Sequence, residues 1–396
     1  MERLSEMEKD RVRGLLADLV RIDSAVTSTE QANRDRTEER IADFVSDRLR
    51  RMGMTVERQE VFPGRPNLIA HWRERSTGKR LVLEAHLDTV TVEGMTVEPF
   101  AAEVRDGRMY GRGTCDTKGS MAAFLAALEL AYHRDMLPAD QIYFVASMSE
   151  ETGCDGAAAL MDYGFRADAA IVGEPTGCGL VTCHKGPLWM EVETRGRSCH
   201  ASVPDRGVNA IDLMARVVEF THGRWLEYIG RVSHPLLGRS TAQVTLIQGG
   251  AKSNIIPARC RAFIDSRLIP WKASSELLAD FERMLAAYLG DERCFAIESV
   301  RTLAPLDTPV DAPLPRRLLD LCREANGQEG PRGVNYFADS GPFSSAGIPS
   351  VLIGPGDIAQ AHTADEYLDL DQLYQATEIM LTLLTQNAGR SILSES

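Results

Sequence analysis

The feature that most constrains this chain is a series of short apolar segments, several of them continuous, that alternate with helical segments. The apolar runs lie at residues 67–72, 80–85, 141–146 and 169–172. Amphipathic or apolar helical patterns lie at residues 10–22, 37–52 and 120–132. Continuous apolar runs suit strands that are buried on both faces of a mostly parallel sheet. The alternation of strands and helices therefore predicts an α/β fold.

A different pattern begins after about residue 181. Strands are predicted at residues 188–194, 242–247, 260–268 and 295–300, and helices at 208–225 and 274–289. Their order is strand, helix, strand, strand, helix, strand, which is typical of a ferredoxin-like α+β domain. The α/β pattern resumes with a helix at 314–326, a strand at 350–353 and a helix at 370–386. We therefore expect residues 183–300 to form an inserted domain within a discontinuous α/β domain of residues 1–182 and 301–396.

Charge and composition exclude some classes of partner. The formal net charge is −13 and the basic residues form no face or arm, so nucleic acid is not an expected partner. The longest apolar stretches fall short of the roughly 20 residues that span a bilayer, so no membrane association is expected. The eight cysteines form no C-x-x-C pair and no regular framework. This usage predicts reduced thiols and a cytoplasmic setting.

Acidic and imidazole side chains occur where the predicted core strands end. They are His86 and Asp88, Asp116, Glu150 and Glu151, Glu174, and His362. Ligands of open α/β sheets bind at the carboxyl ends of the strands, so these side chains should converge in one crevice. Clustered carboxylates repel one another and lose hydration, and a cation is the natural compensation.

Two histidines and three carboxylates can serve two divalent metal ions if one carboxylate is shared. Each metal then has a histidine, a terminal carboxylate and a position open to water, which is the character of a catalytic zinc site. Mixed nitrogen and oxygen ligands also suit cobalt or manganese. We therefore expect two divalent metal ions per chain, with zinc as the first choice.

Each motif alone has a simpler interpretation. His86 could be a hydrogen-bonded core histidine, and Glu150 with Glu151 could be a solvated loop. The glycines at 111 and 113 could belong to a dinucleotide loop, although the third glycine is misplaced for that fingerprint. Cys115 could be a nucleophile, although no base beside it is evident. The joint order of the motifs, each near a strand end, favours the metal site over these alternatives.

The same set of motifs resembles the co-catalytic metallohydrolase family of acetylornithine deacetylase, succinyl-diaminopimelate desuccinylase, aminoacylase and glutamate carboxypeptidase. The resemblance extends from about residue 15 to 384 and includes the glycine-rich segment 111–119 and Gly-Glu-Pro-Thr at 173–176. It implies that Asp116 is shared by two metals, precedes a cis peptide bond, and is joined by His86 and Glu174 at one metal. Glu151 and His362 would bind the other.

The resemblance also assigns catalytic roles. Glu150 would be the general base, and Asp88 would orient the imidazole of His86. In the inserted domain, His200 would donate to the oxyanion of the tetrahedral intermediate, whereas Asn254 and Arg267 would hold the α-carboxylate of the substrate. A packed imidazole and a surface salt bridge are the alternatives for His200 and Arg267.

The inserted domain would act as a lid, and its helix at 208–225 could pair two lids in a homodimer, although a monomer is also compatible with the sequence.

The substrate is less constrained than the reaction. Residues 110–116 and 347–362 resemble acetylornithine deacetylases, but 337–341 reads Phe-Ala-Asp-Ser-Gly where many of those enzymes have Thr-Glu-Ala. We expect removal of an acyl group from an N-acyl-L-amino acid. A dipeptidase, carboxypeptidase or desuccinylase of the same family is the alternative, and a non-catalytic protein that binds amino-acid derivatives is an alternative of a different class.

Overall fold

The computed structural model of the chain describes residues 1–26, 38–72 and 78–394. They form two compact units, the first comprising Met1–Thr182, Thr308–Arg332 and Ala338–Ser396, the second Cys183–Asp307 and Gly333–Phe337. Within the described ranges, no helix is both long enough and apolar enough to span a bilayer. The predicted helix start at residue 37 lies outside the described residues.

The first unit contains the elements predicted for the α/β part of the chain. Its helices are Glu6–Arg21, Glu39–Arg51, Lys118–His133, Asp155–Asp162, Pro313–Asn326, Ser340–Ser345 and Leu370–Gln386. Its strands are Thr55–Phe62, Arg65–His71, Arg80–Glu84, Glu103–Arg105, Arg108–Tyr110, Gln141–Ala146, Ala169–Val172, Ser350–Leu352 and Tyr367–Asp369. Val181–His184 carries the chain from the first unit into the second.

Four neighbouring parallel strands form the centre of the main sheet. Their spatial order is Gln141–Ala146, Arg80–Glu84, Ala169–Val172 and Ser350–Leu352. Every residue of the first, third and fourth of these strands is buried, as the continuous apolar runs predict. The α/β prediction with a mostly parallel sheet is therefore confirmed at the centre of the unit.

Antiparallel strands flank this centre. Arg65–His71 pairs antiparallel with Gln141–Ala146 and forms a hairpin with Thr55–Phe62. Thr55–Phe62 was not predicted, because its middle residues are polar and none of its residues is fully buried. On the other side, Val181 pairs antiparallel with Leu352.

Local sequence explains where the helices of the first unit begin and how they pack. Ser5 and Glu8 form a reciprocal capping box at the start of Glu6–Arg21. Lys118–His133 is buried along its whole first part and packs against Leu370–Gln386 and Glu6–Arg21. A helix that is buried on most sides lies in the interior of the unit. The position of Lys118–His133 therefore also restricts the loop that precedes this helix.

The second unit has the predicted ferredoxin-like arrangement. Its main sheet has the order Thr241–Gly249, Arg259–Leu268, Gly186–Arg195 and Phe295–Thr302, and all neighbours are antiparallel. Ala210–Phe220 and Ser274–Leu289 are the two helices that follow the first and third strands in the chain. Shorter elements are Cys199–His200, Pro204–Arg206, Thr221–Trp225, Leu226–Ile229, Ser233–His234, Gly238–Arg239, Ile255–Ile256, Glu292–Cys294, Leu306–Asp307 and, at the boundary, Arg332–Val334.

One face of this sheet carries the core of the second unit. Leu188, Met190 and Val192 alternate along one strand and pack with Phe281 and Trp225 in a single apolar cluster. Because side chains in a strand alternate between faces, the intervening residues lie on the other face of the sheet. The predicted single helix at 208–225 is interrupted, since its last five residues form a π-helical turn, Thr221–Trp225.

Candidate metal centre

Parallel strands bring most of the candidate ligands to one edge of the central sheet. His86 follows Arg80–Glu84, the pair Glu150 and Glu151 follows Gln141–Ala146, and Glu174 follows Ala169–Val172. His362 lies between Ser350–Leu352 and Tyr367–Asp369.

Asp116 is the exception to the strand-end prediction. It lies on the loop between Arg108–Tyr110, which is outside the central sheet, and the helix Lys118–His133. This loop is joined to the end of a central strand, because the Thr117 hydroxyl donates to the Gly173 carbonyl at 2.5 Å. The peptide bond between Asp116 and Thr117 is cis, as the resemblance implied.

Asp116 lies between two imidazoles. His86 Nε2 is 3.1 Å from Asp116 Oδ1, and His362 Nε2 is 3.3 Å from Asp116 Oδ2. His362 Nε2 is also 3.0 Å from Glu151 Oε2. One candidate ligand atom each from His86, Asp116 and Glu151 lie within 4.8 Å of one another. Four of the five predicted ligands thus form one chain of contacts around the Asp116 carboxylate.

Asp88 connects His86 to the Glu150–Glu151 pair. His86 Nδ1 is 2.9 Å from the backbone carbonyl oxygen of Asp88 and 3.6 Å from its carboxylate. A proton on Nδ1 donates to this carbonyl and leaves Nε2 free to act as a ligand. The Asp88 carboxylate instead accepts the backbone N–H groups of Glu150 and Glu151, at 3.0 and 3.2 Å. The backbone of Asp88 therefore orients the imidazole, while its side chain fixes the loop that carries the candidate base.

Burial and mutual repulsion perturb the carboxylates of this cluster. Burial, followed by the charge of Glu174, raises the pKa of Glu150 well above its ordinary value. Burial and the charge of Asp116 raise the pKa of Glu151 to about 7, and the same two causes raise that of Glu174. Carboxylates that hold protons this strongly indicate a cluster that lacks sufficient positive charge.

The imidazoles supply part of that positive charge. Hydrogen bonds to Asp116 and Glu151 raise the pKa of His362 to about 10. Burial alone would lower the pKa of His86, but its carboxylate partners hold that pKa well above the ordinary value. Burial alone would likewise raise the pKa of Asp116, and the two imidazoles hold it below the ordinary value.

Two carboxylate oxygens at the cluster have a further unmet requirement. Glu151 Oε1 and Glu174 Oε1 are buried and have no hydrogen-bond partner among the described residues. An unpaired buried oxygen of this kind costs free energy, and a bound ion would remove that cost. Divalent cations would satisfy these oxygens together with the imidazole nitrogens, and this donor set fits zinc, cobalt or manganese.

Asp339 is fully buried rather than exposed to a substrate. Its Oδ2 lies 2.5 Å from the Ser147 hydroxyl, which is also 2.5 Å from Glu84 Oε1. Cys154 contacts the base directly, with its Sγ 3.9 Å from Glu150 Oε1. Burial raises the pKa of Asp339 to about 6. In this structure Asp339 is an interior residue that contacts Ser147, a position that the sequence did not indicate.

Glu366 and Arg112 are further buried residues that sequence reasoning missed. The Glu366 carboxylate accepts the backbone N–H groups of Gly113, Cys115 and Asp116 at 3.1, 2.9 and 3.1 Å. Arg112 Nη1 donates to it at 2.6 Å. In the sequence, Glu366 stands out only by its place four residues after His362. Its hydrogen-bond partners lie about 250 residues earlier in the chain, so the sequence did not indicate them.

These contacts also remove two of the alternative interpretations. The amides of the glycine-rich loop are directed at Glu366, so those of Gly113, Cys115 and Asp116 cannot cradle a phosphate. Cys115 is buried, its thiol donates to the Asp357 carbonyl at 3.3 Å, and burial raises its pKa well above the ordinary value. A buried protonated thiol is a poor nucleophile.

The second unit holds the other three predicted residues. His200 is exposed, which excludes a packed imidazole, and its Nδ1 lies 2.7 Å from the Ser202 hydroxyl. Asn254 adjoins it, since the Asn254 carbonyl accepts the N–H of Ala201 at 2.9 Å. Arg267 donates two hydrogen bonds to the Asp265 carboxylate, at 2.8 and 3.0 Å. Asp265 is therefore the partner that the salt-bridge alternative requires.

Two aromatic rings flank the Arg267 guanidinium. Its central carbon lies 5.5 Å from the ring centroid of Trp189 and 5.5 Å from that of Phe337. Cation–π contacts of this length hold the planar guanidinium in one orientation.

Comparison with known proteins identifies the family of the chain. The family model described as peptidase family M20/M25/M40 matches residues 82–386. An acetylornithine deacetylase from Myxococcus xanthus is 31% identical over 367 residues, which cover 88% of this chain and 92% of that protein.

Two solved structures share the fold. The aminopeptidase PepT from Bacillus cereus has a TM-score of 0.77 at 19% identity, with 96% of this chain and 98% of that chain covered. A dinuclear metal-binding peptidase of the M20 family from Bacillus subtilis has a TM-score of 0.66 at 15% identity, with 96% and 99% covered. With the family model spanning most of the sequence, the chain belongs to peptidase family M20/M25/M40 and is a hydrolase of amide bonds.

Proposed function

We propose that this hydrolase removes the acyl group from an N-acyl-L-amino acid, in the manner of an acetylornithine deacetylase. The observation that carries the proposal is the chain of contacts among His86, Asp116, His362 and Glu151 beside the buried Glu150. The similarity to the Myxococcus xanthus deacetylase supports the choice of an acylated amino acid over other amides.

The metal assignments form the first part of the proposal. His86, Asp116, Glu151, Glu174 and His362 would hold two divalent metal ions, with Asp116 shared between them. The unpartnered oxygens of Glu151 and Glu174 support these assignments. Zinc is the expected metal, and cobalt or manganese fit the same ligands. When bound, the metals would polarise the scissile carbonyl group and make water a stronger nucleophile.

Glu150 would act as the general base. Its carboxylate takes a proton from the attacking water, whose oxygen forms the new bond to the carbonyl carbon. Glu150 then passes this proton to the nitrogen of the leaving amine as the C–N bond breaks. A raised pKa helps Glu150 to hold the proton between the two steps. The positive charge of bound metals would lower that pKa and so keep the carboxylate ionised for the first step. Asp88 keeps the backbone of Glu150 in place through its hydrogen bond.

The second unit would recognise the substrate. We assign residues 1–182 and 301–396 to a catalytic domain and 183–300 to a lid and dimerisation domain. His200 would donate to the oxyanion, and Asn254 with Arg267 would hold the α-carboxylate. The fork of two hydrogen bonds to Asp265 uses Nε and Nη2 of Arg267 and, with the two flanking rings, would hold the guanidinium in one orientation, so that Nη1 is the donor that would face a substrate carboxylate.

A homodimer through the second unit is a further part of the proposal. Thr241–Gly249 is an edge strand, and its Leu246 and Ile247 are 69% and 59% exposed. An exposed apolar edge strand tends to pair with another chain, and pairing with a second copy would bury both side chains. A cytoplasmic location, inferred from the cysteine usage, completes the proposal.

A dipeptidase, carboxypeptidase or desuccinylase of the same family is the second candidate. The burial of Asp339 favours this second candidate, because a buried acid does not supply a partner for the side-chain amine of ornithine. A non-catalytic binding protein is disfavoured, since all five proposed ligands and Glu150 are retained in this chain.

A hydrolysis screen with the zinc- or cobalt-loaded protein tests the proposal. The substrates are acetylornithine, acetylcitrulline, other acetylated amino acids, succinyl-diaminopimelate and simple dipeptides. The proposal predicts that an acetylated amino acid gives the highest kcat/KM. A dipeptide or the succinylated substrate as the best substrate would favour the second candidate, and no turnover of any of them would contradict both.

A further inference from the structure

We infer that Glu366 is a positioning residue for the metal centre, because its carboxylate fixes the loop of Asp116 against the segment that carries His362. The inference rests on the proposed function, in which Asp116 and His362 bind metal. Glu366 itself is not assigned as a ligand, and it acts through the backbone of other residues.

The Glu366 side chain is fully buried and all its contacts lead to one loop. Oε1 accepts the N–H groups of Cys115 and Asp116, and Oε2 accepts the N–H of Gly113 together with the Arg112 guanidinium. Charge-assisted hydrogen bonds of this kind are short and directional. Four donors around one carboxylate leave the backbone of Asp116 little freedom to shift.

The backbone of Glu366 is bound to the same loop. Its carbonyl oxygen accepts the N–H of Gly111 at 3.0 Å, and the next residue, Tyr367, pairs with Tyr110. His362 is only four residues earlier in the chain. Glu366 thus sets the spacing between Asp116 and His362, whose side chains are 3.3 Å apart.

A carboxylate is required at this position, and an amide of the same shape would not replace it. Every group directed at Glu366 is a donor, so the NH₂ of a glutamine would face an N–H or the Arg112 guanidinium. Arg112 would also lose the counter-charge of a buried ion pair. Glu366→Gln should therefore displace the loop even though it preserves side-chain volume.

Cobalt titration of the metal-free protein tests the inference independently of turnover. We expect Glu366→Gln to bind Co²⁺ roughly 10- to 100-fold more weakly than wild type in calorimetry, as for other residues that support ligands. The matched control is Asp365→Asn, a neighbouring exposed acid, which should bind Co²⁺ as wild type does. With substrate, Glu366→Gln should lose kcat at limiting metal and recover it as the metal concentration rises, whereas KM should stay close to wild type.

Other outcomes separate this inference from the proposed function. Wild-type Co²⁺ affinity in Glu366→Gln, even with a lowered Tm, would overturn the positioning role while the proposed metal site stands. If Glu366→Gln does not fold, Glu366→Asp takes its place. Its carboxylate is one methylene shorter and cannot reach all four donors, so weaker Co²⁺ binding is expected, and wild-type affinity would overturn the inference. Absence of Co²⁺ binding by the wild-type protein would contradict the proposed function itself, and the inference would fall with it.

Discussion

The carboxylate of Asp88 accepts the backbone N–H of Glu150 in a 3.0 Å hydrogen bond. The backbone carbonyl of Asp88 accepts a hydrogen bond from His86 Nδ1, so Asp88 connects one candidate ligand to the candidate base. We predict that Asp88→Asn lowers kcat roughly 10- to 100-fold, because the amide cannot accept both N–H groups of the Glu150–Glu151 loop. Steady-state kinetics checks this, with the exposed Glu93→Gln as control, and a wild-type kcat in Asp88→Asn would remove the role.

Metal affinity should increase with pH. Without metal, the pKa values of Glu151 and His362 are raised to about 7 and about 10, so at pH 7 His362 is protonated and Glu151 is about half protonated, and a metal must displace these protons. Each proton released makes binding about tenfold tighter per pH unit over the range where it is released. Calorimetry of Co²⁺ binding at pH 6, 7 and 8, in buffers of different ionisation enthalpy, should detect this release. An affinity independent of pH would contradict the assignment of these two ligands.

Arg267→Ala should weaken the binding of substrates that carry an α-carboxylate. The loss of a charge-assisted hydrogen bond is worth about 1.5–3 kcal/mol, which corresponds to a KM about 10- to 100-fold higher. The matching substrate with a carboxamide in place of the carboxylate should show little change. Arg261→Ala, on the same strand and paired with Glu193, is the control. Equal effects on carboxylate and carboxamide substrates would show that Arg267 has only a structural role.

The stability of the protein should depend on His184 below neutral pH. Burial lowers the pKa of this imidazole from 6.5 to about 4. Between these values the unfolded chain binds the proton and the folded chain does not, so stability is present above pH 6.5 and is lost as the pH falls toward 4. Urea unfolding should show that, between pH 7 and pH 4.5, the free energy of unfolding of wild type falls by about 2–3 kcal/mol more than that of His184→Asn. The exposed His133→Gln should behave as wild type, and an equal loss in all three proteins would contradict the prediction.

The sequence was sufficient for the elements whose burial is regular. Continuous apolar runs such as residues 141–146 identified the parallel strands, and alternating residues in 260–268 identified the sheet of the second unit. Thr55–Phe62 and the three-stranded sheet of Glu103–Arg105, Arg108–Tyr110 and Tyr367–Asp369 were missed. Their strands are short or mostly solvated, so no continuous apolar pattern marks them, and Tyr367–Asp369 pairs with Arg108–Tyr110, which is distant in sequence.

The residues of the candidate site likewise include some that a local sequence pattern identified and some that it did not. His86, Glu150 and Glu174 could be located because each follows an apolar strand, and parallel strands end at a common edge. Glu366 could not be recognised, because its importance comes from backbone N–H groups that leave no trace in the sequence. Asp339 was noticed as a departure from a family pattern, but only its burial against Ser147 indicated which way it points.

The central claim is a metal-dependent amide hydrolase with Glu150 as base, and Glu150→Gln tests it most directly. Metal analysis after dialysis, combined with kcat on the best acetylated amino acid, should be carried out for this variant and for wild type. We predict about two divalent metal ions per chain in both proteins, with kcat lowered at least ~100-fold in the variant. A variant with wild-type kcat, or a wild-type protein that contains no metal and is fully active in chelator, would contradict the account.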